Sequence, residues 1–297
     1  MSDAILICSD LDRTLLPNGT LPESAAARPL LRQLPSLEAV TLAYVSGRNQ
    51  SLLQAAIDTY QLPMPAFAVG DVGTSIFYIS DQQWLPDEDW QQEIAPDFNG
   101  HDSTGIHSLL TQAASHDADN LFEHLQLQAP EQQNRFKLSY YAPPDMDEQR
   151  LRQVITAHLA PHGIAASIIF SIDEATHTGL VDILPRQATK RHAVEYLMRR
   201  LGFPASRTAF AGDSGNDLPV LLSGLQAILV GNADEALRQR VRHQAQEQGI
   251  ESSVYYAKGD FLGMNGHYAA GVLEGVCHFF PEYRAKLEAA HAALPLD

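Results

Sequence analysis

The stretch Ile5-Leu6-Ile7-Cys8-Ser9-Asp10-Leu11-Asp12-Arg13-Thr14-Leu15 decides the fold. Its apolar opening, bounded by polar residues, predicts a buried strand. The strand runs into two carboxylates two positions apart, which lie on the same side of an extended chain. Carboxylates held that close repel each other unless a cation or a shared proton relieves them. Aspartate is also common in the turns that follow strands, so a solvated turn stays open for this segment taken alone.

Working outward, strand-like and helix-like segments alternate. Glu23–Leu34 reads as a helix, Ala39–Val45 as a strand, and Asn49 as the cap of a helix reaching Tyr60. Ala66–Val69 and Thr74–Ile79 read as short strands. Residues 86–133 are rich in Gln, Asp and His, with weak periodicity. Arg135–Ala142, Ala166–Ile172 and Gly179–Leu184 are strand-like around a helix over Asp145–Leu159. The alternation then resumes with a helix from Lys190 to Leu201, a strand over Arg207–Ala211, a short helix from Asp217, strands over Ala227–Val230 and Val254–Ala257, and two closing helices. Such a pattern predicts an α/β fold: a Rossmann-like core with a parallel sheet and helices on both faces. The core spans residues 1–80 and 186–297, and an inserted α+β cap spans 81–185.

Composition narrows the function. Hydrophobic residues make up 45% of the 297 positions and charged residues 19%, which describes a globular chain. Acids outnumber bases by 36 to 20, giving a net charge of -16. Nucleic acid needs a basic face and is not expected as a partner. An anionic substrate would need a metal ion or local Lys and Arg to offset the field. No apolar run approaches a membrane span, and no basic segment precedes an apolar one at the N-terminus. With only two cysteines, Cys8 and Cys277, a cytoplasmic location without membrane association is the expectation. The twelve histidines stand in no zinc-type spacing.

Four features fall at the carboxyl ends of predicted parallel strands, where open α/β sheets bind ligands. They are Asp10 with Asp12; Ser46-Gly47-Arg48; Lys190 at a helix start; and Gly212-Asp213-Ser214-Gly215-Asn216-Asp217. Each alone is an ordinary turn or a solvated side chain. Together they supply what phosphoryl transfer requires: a nucleophile, a proton donor, a cation and donors to the phosphate oxygens. Asp10 is the expected nucleophile and Asp12 the acid and base. Ser46 and Lys190 are expected to bind phosphate, and Asp213 and Asp217 to complete with Asp10 and Asp12 an oxygen shell for Mg2+.

These residues resemble the haloacid dehalogenase superfamily, in the branch with a large cap between the second and third motifs. The acid at Asp12 is a mark of its phosphatases. Within that branch the chain is similar to the sucrose-phosphate phosphatase group, on Val72-Gly73-Thr74-Ser75-Ile76, Lys137-Leu138-Ser139-Tyr140-Tyr141, Val181-Asp182-Ile183-Leu184-Pro185, the G-D-S-G-N-D segment, Val230-Gly231-Asn232-Ala233 and Gly271-Val272-Leu273-Glu274-Gly275. The resemblance implies a Mg2+-dependent phosphatase working through an aspartyl-phosphate, with sucrose 6-phosphate as the leading substrate. Mannosylfructose phosphate, glucosylglycerol phosphate or a monosaccharide phosphate are the alternatives. Asn216 is then expected to position phosphate or Asp10, while Lys137, Ser139 and Asp182 are candidates for the sugar. Domains of this type also serve as inactive partners of a sugar-phosphate synthase. Residues 258–267 make a longer connection than the group's pattern, and 97–133 match nothing in it.

Overall fold

The computed structural model describes residues 4–114, 121–173 and 176–294, and these divide into two compact units. The first runs up to Pro86 and resumes at Lys190; the second spans Asp87–Thr189. Along the chain the first unit carries β1 (Ile5–Ser9), α1 (Ala27–Leu31), β2 (Val40–Val45), α2 (Gln50–Tyr60), β3 (Phe67–Gly70), β4 (Ser75–Ser80) and β5 (Gln83–Pro86). The second unit carries α3 (Glu88–Ile94), α4 (Ser103–Ala114), β6 (Gln126–Leu127), β7 (Leu138–Ala142), α5 (Glu148–Leu159), β8 (Ala166–Asp173) and β9 (Thr178–Pro185). The first unit then adds α6 (Lys190–Leu201), β10 (Thr208–Gly212), α7 (Leu218–Leu221), β11 (Gln226–Leu229), α8 (Glu235–Gln248), β12 (Val254–Tyr256), α9 (Ala269–Phe279) and α10 (Arg284–Ala292).

The sheet of the first unit has the order β12-β11-β10-β1-β2-β3-β4-β5. Its first six strands are parallel, and β4 and β5 close one edge antiparallel. Ile5 and Ile7 pack with Val272, Val276 and Leu30 in one apolar cluster. Leu6, Cys8 and Phe210 are also fully buried but stand outside that cluster. Both sheet faces are therefore covered, which is why the strands read as continuous apolar runs. The chain leaves β1 toward β2 on one side and returns from β10 on the other. That reversal at β1 is the switch point where ligands bind in such sheets.

The second unit has a four-stranded antiparallel sheet in the order β6-β7-β9-β8. Leu151 and Ile155 of α5, Ile106 of α4, and Val181 and Ile183 of β9 are among its buried apolar residues.

Three expectations change. The helix expected over 23–34 is only Ala27–Leu31. Pro29 has no N–H and would clash with the carbonyl four residues back, so it is tolerated only in a first turn. The boundaries between units fall at 86/87 and 189/190 rather than at 80/81 and 185/186. The physical reason at the first is β5, which pairs with β4 through Ile79–Trp84 and Tyr78–Leu85. The stretch 97–133 contains α4, and α3 lies just before it; residues 115–120 lie outside the described part. No described helix is long and apolar enough to cross a membrane.

Candidate active site

Every candidate of the first unit sits on a loop that leaves the carboxyl end of a parallel strand, or on a helix start beside one. Asp10 follows β1 directly, and its backbone N–H donates to Ala211 O of β10 (2.9 Å). The chain then turns sharply: Leu11 O accepts from the N–H groups of Thr14, Leu15 and Leu16. Thr14, fully buried, donates from Oγ1 to Asp213 Oδ1 (3.0 Å). The loops after β1 and β10 are thus joined through a side chain at the switch point.

Asp217 orders the loop after β10. Its Oδ2 accepts from the backbone N–H groups of Asp213 and Ser214 (3.1 Å each) and from Ser214 Oγ (3.2 Å). This is a capping box at a helix start. Gly212 makes room for it, since a Cβ there would lie 2.6 Å from Asp217 Cγ. The other oxygen, Oδ1, accepts from Lys190 Nζ (2.8 Å). Lys190, only 8% exposed at the start of α6, is also 3.0 Å from Asp10 Oδ1. Its Nζ donates further to Asn216 Oδ1 (3.3 Å).

Burial raises the Asp10 carboxyl to about 7: the pull of Lys190 does not fully offset it, and the Asp217 charge adds to it. Burial, then the Asp217 charge, also raises Asp213, to about 6. For Lys190 the order reverses: burial would lower it, but Asp10 and Asp217 together hold it above the usual lysine value.

Asp12 stands apart from this cluster. Its carboxylate takes a forked pair of bonds from Arg48 (Nε to Oδ2 2.8 Å, Nη2 to Oδ1 2.6 Å) and a third from Asn18 Nδ2 (2.7 Å). Burial pushes its carboxyl up, but the Arg48 bonds and charge outweigh that and leave it below the ordinary value. Arg48 follows Ser46, buried at the end of β2, whose Oγ accepts from Arg48 N (3.2 Å). The Arg48 carbonyl accepts from Asp71 N (2.8 Å) in a turn where Asp71 and Val72 both have positive φ (52° and 59°). The turn just before the V-G-T-S-I segment thus supports the Arg48 backbone through Asp71.

A divalent cation fits one place here. One oxygen each from Asp10, Asp213 and Asp217 lie within 4.8 Å of one another, all buried. Asp213 Oδ2 is buried with no hydrogen-bond partner, and Arg13 Nε approaches it only to 3.6 Å. An orphaned carboxylate oxygen among three acids suits a hard cation with oxygen ligands. Asp10 holds an ion pair with Lys190 and Asp213 a bond from Thr14, and each carboxylate keeps lone pairs for the ion. Both oxygens of Asp217 are already engaged, and Asp12 points to Arg48 instead. The three-acid group thus gathers three of the four ligands expected from the sequence, with the Asp217 oxygens shared, and does not include the Asp12 carboxylate.

Lys137, Ser139 and Asp182 form a separate cluster in the second unit. Ser139 pairs with Asp182 across β7 and β9, and its Oγ donates to Asp182 Oδ1 (2.5 Å). Lys137 Nζ lies 3.8 Å from the same oxygen and donates to Gln132 O (2.9 Å). Tyr140, of the opposite strand parity to Ser139, is buried and bonds His107 Nδ1 (2.7 Å).

Sequence reasoning gave no role to Arg48, Thr14 or Asn18. Arg48 stood in the quoted S-G-R segment, so a signal existed. Asn18 had none.

The buried acid–lysine–acid set at the switch point of the parallel sheet suits phosphoryl transfer, and the similarity to known proteins shows the class: a phosphatase of the haloacid dehalogenase superfamily, a phosphoric monoester hydrolase. The comparisons narrow this. The family model of sucrose-6F-phosphate phosphohydrolase matches residues 3–280. A HAD-like hydrolase assignment from Nitrosococcus oceani is 51% identical over 97% of this chain and 75% of that protein. Sucrose-phosphatase 1 of Nicotiana tabacum is 27% identical over 93% of this chain, which spans 59% of the plant protein's length. Among solved structures, the sucrose-phosphatase of Synechocystis sp. PCC6803, in complex with sucrose and phosphate, superimposes with a TM-score of 0.67 at 26% identity, covering 93% of this chain and 97% of that one. The chain belongs to the sucrose-6F-phosphate phosphohydrolase family.

Proposed function

We propose that the protein hydrolyses a sugar phosphate, with sucrose 6-phosphate the first candidate, through an aspartyl-phosphate on Asp10. The observation that carries this is the pairing of two unlike carboxylates two residues apart. Asp10 is buried beside Lys190 and Asp213, while Asp12 is held by Arg48 and Asn18 outside that cluster. Unlike environments for neighbouring acids are how one site divides nucleophile from proton carrier.

Asp10 attacks the phosphorus in line, and Lys190 and Ser46 donate to the phosphoryl oxygens. Asn216 helps to orient Lys190. A Mg2+ ion held by Asp10 and Asp213 would keep Asp10 ionised and draw charge from the phosphoryl group. Asp12 protonates the departing sugar oxygen and then takes a proton from the water that opens the acyl phosphate. The Arg48 pair favours the carboxylate form of Asp12, which suits the second step. For the first step that pair has to loosen, and an arriving phosphate competes for the same guanidinium. Lys137, Ser139 and Asp182 offer donors and acceptors for sugar hydroxyls, and the second unit is the one we assign to substrate choice.

The test is phosphate release from a panel that includes sucrose 6-phosphate, mannosylfructose phosphate, glucosylglycerol phosphate and hexose phosphates. It is run with Mg2+ and with chelator, beside Asp10→Asn. Mg2+-dependent turnover of one ester, absent in the variant, is the expected result. No release from any ester by folded protein would overturn the proposal.

A further inference from the structure

Three segments singled out in the sequence have no part in the chemistry above: V-G-N-A at 230–233, G-V-L-E-G at 271–275 and the long connection 258–267. They meet behind the nucleophile loop. Glu274, buried in α9, accepts from Tyr255 Oη (2.7 Å) and from the N–H groups of Lys258 and Gly259 (3.0 Å each). That fixes the start of the connection. Its far end is tied to the loop after β1: Asn265 Nδ2 donates to Pro22 O (2.9 Å) and Tyr268 Oη to Leu21 O (3.0 Å). Asn232 stands at the junction. Its Oδ1 accepts from Tyr268 N (2.8 Å), and its Nδ2 donates to Arg13 O (2.6 Å).

Arg13 is the residue between Asp12 and Thr14, and its backbone is left-handed, with φ 60°. A residue with a Cβ adopts that conformation only when its surroundings hold it there. Two asparagine side chains do so. Asn18 Oδ1 accepts the Arg13 N–H (2.8 Å), and Asn232 Nδ2 binds the Arg13 carbonyl. The same Asn18 donates to the Asp12 carboxylate. The conformation of this one residue sets the direction in which Asp12 projects and the point at which Thr14 reaches Asp213.

We propose that Asn18 and Asn232 are positioning residues that clamp both sides of Arg13 and so aim Asp12 at the leaving oxygen. The inference rests on the reading of Asp12 as the acid of the first step. Both act through Asp12, Asn18 directly and Asn232 by way of Arg13.

The experiment compares kcat/KM for two leaving groups with Mg2+, because that ratio reports the steps up to departure of the leaving group and not the later opening of the acyl phosphate, which both esters share. The sugar phosphate that the panel identifies, sucrose 6-phosphate on the present reading, needs a proton on its departing oxygen; p-nitrophenyl phosphate does not. Asn232→Asp keeps the shape and the bond from Tyr268 N but sets an oxygen against the Arg13 carbonyl. Asn18→Ala, at an exposed position, removes the other arm without endangering the fold. Asp12→Asn is the reference.

Both asparagine variants are expected to lower kcat/KM on the sugar phosphate by about 10- to 100-fold, the scale of an ångström-sized misplacement. The kcat/KM for p-nitrophenyl phosphate should fall less than about threefold, since no acid catalysis is needed for that leaving group. Equal losses on both esters would show a structural role only and overturn the proposal, as would no loss on either. If Asp12→Asn itself shows no difference between the esters, the acid assignment falls and takes this inference with it. A difference for Asp12→Asn but not for the asparagine variants overturns this inference alone.

Discussion

Replacing Lys190 by Met tests the electrostatics of the site without needing the substrate. Lys190 is the buried cation between Asp10 (3.0 Å) and Asp217 (2.8 Å). Methionine keeps most of the volume and removes the charge, leaving two buried carboxylates beside Asp213. Removing one partner of a buried ion pair costs about 3–5 kcal/mol, and that is the loss expected at pH 9 in chelator. The penalty must depend on pH. Asp10 has its folded-state carboxyl raised to about 7 even with Lys190 present; without the lysine it moves higher still. Between the two values the folded variant holds one proton more than the folded wild type. Lowering the pH through that window therefore stabilises the variant relative to wild type, by about 1.4 kcal/mol for each unit that Asp10 moves. Below pH 7 the carboxyl is protonated in both proteins, and the difference levels off. Urea unfolding at pH 9 and pH 6.5 reads this. Trp84 lies in β5 of the first unit and Trp90 in α3 of the second, so a Trp90→Phe background makes fluorescence report the first unit alone. A loss under about 1 kcal/mol at pH 9, or one that does not change between the two pH values, would refute the account of Lys190 as the counter-charge of Asp10.

Two further outcomes follow from the same geometry. Mg2+ at about a hundred times its Kd should stabilise the wild-type first unit by roughly 2.7 kcal/mol, and Asp213→Asn should remove most of that shift in a denaturation series with and without the ion; an undiminished shift would place the ion elsewhere. Asp217→Ala should destabilise by about 2 kcal/mol or more, because it strips the acceptor from two loop N–H groups and from Lys190. Unchanged urea midpoints would contradict its role as the organiser of the loop.

What the sequence made visible, and what it hid, divides by range. β1, β2 and β10 are buried on both faces, so each reads as an unbroken apolar run, and the loop chemistry begins where the run stops. That is why Asp10, Ser46 and Asp213 could be placed before any coordinates, and Lys190 with them as the first residue of the helix that follows the insertion. β5 escaped notice because it is an edge strand with Leu85 exposed, so it lacks the apolar run that marks its neighbours. α3 was obscured by polar composition, although Asp87 caps it and Trp90 and Ile94 recur at the spacing of a buried helix face.

The site contacts that escaped are those made with a distant partner. Asp217 is expected as a metal ligand from its place near Asp213, and its carboxylate does lie in the buried group with Asp10 and Asp213. Its spacing from Ser214 is also that of a capping box, and the same carboxylate accepts from backbone N–H groups and from Lys190. The Asp12 carboxylate lies outside that group, because Arg48, brought from 36 positions away by the adjacent parallel strand, holds it. Asn232 reaches Arg13 across 219 positions, through the neighbouring strands β11, β10 and β1. A parallel sheet gathers loops from remote parts of the chain at one edge. The residues that react follow their strands directly and can be read locally, whereas those that aim them become visible only once the strand order is known.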